Sequence, residues 1–245
     1  MSAVPGARAR ARAEVTSAIK DEARKQLAAE GASKLSLRAV ARELGMVSSA
    51  LYRYFPSRDD LLTALIVDAY DAVGAAAETA LAAVPDPHDH PARWTALCSA
   101  VRAWALAHPH EYVLIYGSPV PGYRAPMDTV GPASRVGLAL VSIVRDAHRD
   151  SGIALPPLAE ELRPEAHRLG ATFAPDLPPA VVVALVSVWP QLFGLISFEL
   201  FGQFNRFVED RDALFAHAVA RLAHEVGLRP PHAPGTPPPG PGTGP

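Results

Sequence analysis

A chain of 245 residues, 49% hydrophobic and 20% charged, can bury a sizeable core in one large or two small domains, as a soluble globular protein does. Its formal net charge of −2 argues against a uniformly basic nucleic-acid binder, but residues 1–62 carry 11 Lys/Arg against 7 Asp/Glu and the remainder 12 against 18. A basic end on an acidic body suggests one region that faces phosphate and one that does not. The single cysteine, Cys98, excludes an intramolecular disulfide and fits a cytoplasmic location.

In chain order, residues 1–11 read as a basic flexible arm with Arg8 and Arg10 and no apolar signal core. A first helix is expected from about Arg12 to Glu30, since Val15, Ile19, Ala23 and Leu27 recur every four residues before Gly31. Ser36 can cap a second helix, in which Leu37, Val40, Ala41 and Leu44 share one face, and Gly45 stops it. A short third helix restarts near Ser48. Helix, tight turn and short helix form the helix-turn-helix pattern, whose second member enters the DNA major groove. Pro56 breaks the chain, and Ser57 caps a fourth helix with Asp59 and Asp60 in its first turn.

Beyond residue 72 a larger helical unit is expected to reach residue 228. The stretch 85–91 is a Pro-rich linker, followed by helices at about 92–107 and 109–115 and a Pro/Gly-rich loop from Gly117 to Pro126. Further helices are expected at 129–149, from Pro156-Pro157 to about Gly170, over Ala180–Phe204 and from Asp210 to about Gly227. Ala180–Phe204 is apolar enough to suggest a membrane span, but Pro190, Gln191 and two serines interrupt it, so it reads as a helix buried on all sides. Residues 229–245 form a Pro/Gly tail expected to be disordered. No strand pattern of useful length appears.

Gly31, Leu35-Ser36-Leu37-Arg38, Val40-Ala41, Leu44-Gly45-Met46, Ala50-Leu51-Tyr52, Tyr54-Phe55 and Ser57-Arg58-Asp59-Asp60-Leu61 together resemble the DNA-binding region of a TetR-type transcriptional regulator. Trp104 with His108-Pro109, the loop from Gly117 to Tyr123, and Trp189 to Gly194 resemble, more loosely, the WHG-type effector domain of that family. The resemblance implies an all-α homodimer. An N-terminal three-helix helix-turn-helix DNA-binding domain (12–72) would be followed by a C-terminal helical ligand and dimerisation bundle (73–228). An effector entering the bundle would move the fourth helix and separate two reading heads. The sequence departs from the pattern at Val47, where the family has Ser or Thr. It departs again at Phe193, where the motif has His.

The resemblance places base reading on Ser48, Ser49 and Ala50 and groove or phosphate contacts on Tyr52, Tyr54 and Arg58. Val47 opens that helix without a cap, and Arg38 and Arg53 are basic neighbours able to reach phosphate. Double-stranded DNA with a palindromic operator is the expected partner, bound by a homodimer through the last two long helices. The candidate effector pocket comprises Trp94, Trp104, Tyr112, Tyr116, His148, Phe173, Trp189 and Phe193. Its apolar lining suits a small hydrophobic or aromatic molecule of unknown identity. No catalytic constellation, cofactor fingerprint or metal site is expected. His88-Asp89-His90 looks like a ligand cluster, but it sits between prolines with no partner group nearby in sequence. The reading is a repressor released by its effector. The rivals are an effector-independent regulator that recruits a protein partner and, more remotely, an all-helical enzyme.

Overall fold

The computed structural model describes residues 6–150 and 152–229. Within them lie ten α-helices and no strand. Helices α1 (Ala7–Glu30), α2 (Leu37–Glu43) and α3 (Ser48–Leu51) form a head, and α4 (Arg58–Ala82) runs out of it. Helices α5 (His90–Ala107), α6 (Pro109–Tyr116), α7 (Val130–Asp150), α8 (Arg163–Phe173), α9 (Pro179–Leu200) and α10 (Arg211–Glu225) form the body.

Local chemistry sets the helix starts. The Ser36 hydroxyl accepts the Ala39 N–H, and Ser57 accepts the Asp60 N–H at 3.1 Å. Asp89 and Asp210 cap α5 and α10 in the same way. Each such cap is worth about 1 kcal/mol.

Two cores result. Ile19, Leu27, Val40, Leu51 and Phe55 pack with Leu61, Leu62, Leu65 and Ile66 in the head. Ala69, Val73 and Ala77 of the same α4 enter the body core, beside Trp94, Val101, Ile143, Leu192 and Val219. The cores therefore meet on one uninterrupted helix, between Ile66 and Ala69. Helix α4 packs mainly on α5 and α7. At its contact with α7, Gly74 leaves room for the Arg135 side chain, which a Cβ would meet at 2.8 Å. Arg135 reaches past Gly74 to Asp71 and Glu78.

Several expectations need correction. The basic arm is helical from Ala7, because alternating Ala and Arg are strong helix formers; residues 1–5 lie outside the described residues, as does the tail from 230. Pro156-Pro157 does not open a helix: consecutive prolines hold the preceding backbone extended, and α8 starts only at Arg163. Helix α9 is not buried on all sides. Val186, Pro190, Gln191 and Phe198 are exposed along one face. Both Met127–Asp150 and Pro179–Leu200 are long and apolar enough to cross a membrane, yet the inner face of α9 packs against α5, α8 and α10. The one charge of α9, Glu199, is buried in a two-pronged pair with Arg102 at 2.7 Å for each bond.

Candidate nucleic-acid interface and aromatic cluster

Helix α2 ends in a Schellman turn: Met46 N–H donates to Ala41 O at 2.8 Å and Gly45 N–H to Arg42 O at 3.1 Å. Gly45 takes φ +64°, where a β-carbon would be strained. The turn aims α3 outward while fully buried Leu51 anchors it. Val47 is 70% exposed and makes no capping bond, so the missing cap read from the sequence is present in the structure. Ser48 and Ser49 are exposed and Ala50 is half-buried beside them, giving a surface of short side chains. Arg38, Tyr52 and Arg53 are exposed around it.

Two arginines bond within the head. Arg58 gives its Nε to Leu35 O at 3.1 Å and an Nη to Ala32 O at 2.8 Å. Those bonds hold the turn between α1 and α2 and occupy the Arg58 Nε and one Nη. Arg12, which the sequence reading did not single out, lies 5.0 Å over the Tyr54 ring and donates to Arg53 O at 3.2 Å. It holds the start of α1 against the end of α3, so Tyr54 is half-buried. Arg8 stands one turn earlier on the same helix, exposed.

Head and body are joined by polar contacts as well as by α4. Arg24 of α1 pairs with Asp68 of α4 at 2.7 Å and Glu111 of α6 at 2.9 Å. Thr63 bonds Tyr123 of the 117–126 loop at 2.9 Å, and Tyr70 donates to Ile115 O at 3.2 Å. That loop also lays Val120 and Tyr123 on the head core.

The expected pocket residues separate into groups. Tyr112, Tyr116, Trp189 and Phe193 come together: Tyr116 lies 5.1 Å from Tyr112 and 4.2 Å from Phe193, and Trp189 lies 4.7 Å from Phe193. Tyr70 joins them edge-on at 5.9 Å from Tyr116. The sequence reading missed Tyr70, although it is the one aromatic residue in the aliphatic α4. Tyr112 donates to Phe193 O at 3.0 Å. The Tyr116 hydroxyl is buried with no hydrogen-bond partner among the described residues, and burial pushes its pKa well up. Trp94 instead donates to Val219 O of α10, and Trp104 stacks on His108 at 5.2 Å. Phe173 is 61% exposed at the end of α8. His148 is exposed too, because four-residue steps from Leu140 drift about 40° each and leave the buried stripe. Cys98 is fully buried and its thiol is pushed up by desolvation, as suits a core residue and not a nucleophile.

Outside the cluster, α9 and α10 flank an open groove of about 440 Å³ lined by Leu195, Phe198, Phe204 and Leu222, with Arg221 and Glu225 at its edge.

Residues 19–65 match the model for bacterial regulatory proteins of the tetR family, and residues 94–222 match that for a tetracyclin repressor-like C-terminal domain. The HTH-type transcriptional regulators Rv1816 of Mycobacterium tuberculosis and Mb1846 of Mycobacterium bovis are each 39% identical over 215 residues, covering 82% of this chain and 86% of the relative. The crystal structure of the regulatory protein SCO4313 superposes with a TM-score of 0.72 at 35% identity, over 90% of this chain and all of the other. The TetR family regulator PfmR from Thermus thermophilus shares the fold, with a TM-score of 0.50 at 22% identity over 88% of this chain and 99% of its own.

Proposed function

The chain belongs to the TetR family of transcriptional regulators, and from that premise we propose that it is a cytoplasmic repressor which binds a palindromic operator as a homodimer and is released by a small aromatic or hydrophobic effector. Its family and relatives are regulators, not enzymes.

Ser48, Ser49 and Ala50 would lie against base edges; their short side chains permit close approach and give hydroxyl or methyl contacts. Tyr52, Arg53 and Arg38 would take phosphates, joined by Arg8 and Arg10 on the helical start of α1. One four-residue α3 reads few base pairs, so affinity needs a second copy. The exposed α9–α10 face, with Val186 and Phe198 about half exposed, supports a four-helix dimer contact.

The observation that carries the effector reading is the position of Tyr70 and Tyr116. The unpartnered hydroxyl of Tyr116 stands beside a ring borne by α4, the helix shared with the reading head. A buried hydroxyl without a partner costs about 1–3 kcal/mol, and a ligand acceptor would relieve that cost where α4 is held. A second reading, a DNA-bound platform with no effector, draws on the direct contact of the rings, which leaves Tyr116 and Phe193 packed together.

Selection from randomised duplexes, with light scattering on the same protein, tests the DNA reading. A two-fold symmetric consensus and a dimer mass are expected; a single half-site bound by a monomer would refute it. Thermal shift against a panel of phenols and fused aromatics tests the effector. A hit that raises Tm and lowers operator affinity is expected, and a panel without one favours the platform.

A further inference from the structure

The geometry points to a divalent transition-metal site that joins the α4–α5 connection to the end of α7, with His88 Nδ1, His90 Nε2 and an Asp150 oxygen as its ligands. These three atoms lie within 4.8 Å of one another. Both ring nitrogens converge on the same Asp150 oxygen, His88 at 2.7 Å and His90 at 3.1 Å. The carboxylate that the sequence pattern lacked comes from 60 residues away, while Asp89, between the two histidines, is occupied in capping α5.

The convergence is built into the backbone. His88 N–H donates to the Asp86 carboxylate at 2.9 Å, a local turn that presents the ring towards α7. His90 is the first residue of α5 and is only 5% exposed, so its ring has little freedom. Asp150 ends α7. An ion placed among them needs metal–ligand distances of about 2.0–2.2 Å, which small ring shifts would reach. His88 is exposed on the outer side, leaving a position for water.

Two imidazoles and one carboxylate suit Zn(II), Ni(II) or Cu(II), whereas Mg(II) and Ca(II) prefer oxygen-only sets. On binding, each ring offers its lone pair at the named nitrogen and carries its proton on the other. In the structure Arg93, held by Pro87 O at 3.0 Å and Asp146 at 2.9 Å, donates an Nη N–H to His90 Nδ1 at 3.4 Å, so on binding the proton moves to Nδ1 and that long bond is given up. The lost bond and the nearby positive charge both lower the affinity of the site. The consequence for the fold is a staple: α7 already grips α4 through Arg135, and the ion would fasten the chain leaving α4 to the far end of α7.

The test uses the full chain, stripped with chelator and dialysed. Zinc chloride is titrated by calorimetry, cobalt(II) chloride is followed by visible absorption, and thermal unfolding is recorded with and without zinc. One ion per chain, the absorption of four-coordinate cobalt and a zinc-dependent rise in Tm are expected. His88→Ala and Asp150→Asn, each checked for retained helicity, should weaken binding more than about tenfold. The double variant His217→Ala/His224→Ala, altering exposed histidines of α10, should bind as the parent does. Absence of one-to-one binding, equal affinity in Asp150→Asn, or loss of binding in the α10 variant would each overturn the site.

Discussion

The head and the body are both helical and both share α4, yet they are held together differently. The head core is built within residues 19–66, from capped helix starts, a Gly turn and apolar faces of neighbouring helices, with Val120 and Tyr123 of one distant loop laid on it. The body depends on pairs far apart in the chain. Arg102 meets Glu199, Trp94 meets Val219 O, and Tyr70 of α4 meets Tyr116 and, through it, Phe193. The contrast suits a reader that keeps one shape and a body whose internal arrangement sets where α4 lies.

The comparison can be broken most forcefully at the buried ion pair. Glu199→Ala leaves Arg102 largely buried opposite the exposed Asp212 alone, and a loss of about 3–5 kcal/mol is expected in denaturant unfolding. A loss below about 1 kcal/mol would mean that the body does not rest on this pair. In the head, Leu51→Ala should cost about 2–4 kcal/mol through the cavity behind α3. Because α4 is continuous through both cores, both variants should unfold in one transition. Two resolved transitions would show that head and body are energetically separate.

The aromatic cluster gives a smaller effect of opposite sign. Tyr116→Phe removes a buried hydroxyl that has no partner, so stability should rise by about 1 kcal/mol, while the response to any effector identified by thermal shift should weaken. A fall in stability would mean that the hydroxyl has a partner in solution. The smallest effects should come from the start of α1. Arg8→Ala and Arg10→Ala should leave Tm unchanged, and each should reduce the salt slope of operator binding by about one. Arg58→Ala is the contrasting case. Its guanidinium bonds three carbonyls of the α1–α2 turn region, so Tm should fall; a reduced salt slope at unchanged Tm would restore it as a phosphate contact.

The sequence by itself determined the head almost completely. Ser36, Gly45 and Ser57 act on their immediate neighbours, and a face repeating every three or four residues needs no distant information to be recognised. It also determined the all-helical class and the apolar character of α9. Only the tertiary structure decided which body aromatics meet, because Trp94, Tyr116 and Phe193 look equally apolar in sequence while their neighbours come from other helices. It likewise decided that Arg58 bonds backbone, that Phe173 faces outward, that α9 leaves one side open, and that Asp150 reaches His88 and His90. His148 leaves the buried stripe of α7 by helical drift alone; the other outcomes depend on where a distant part of the chain packs, and no local periodicity encodes that.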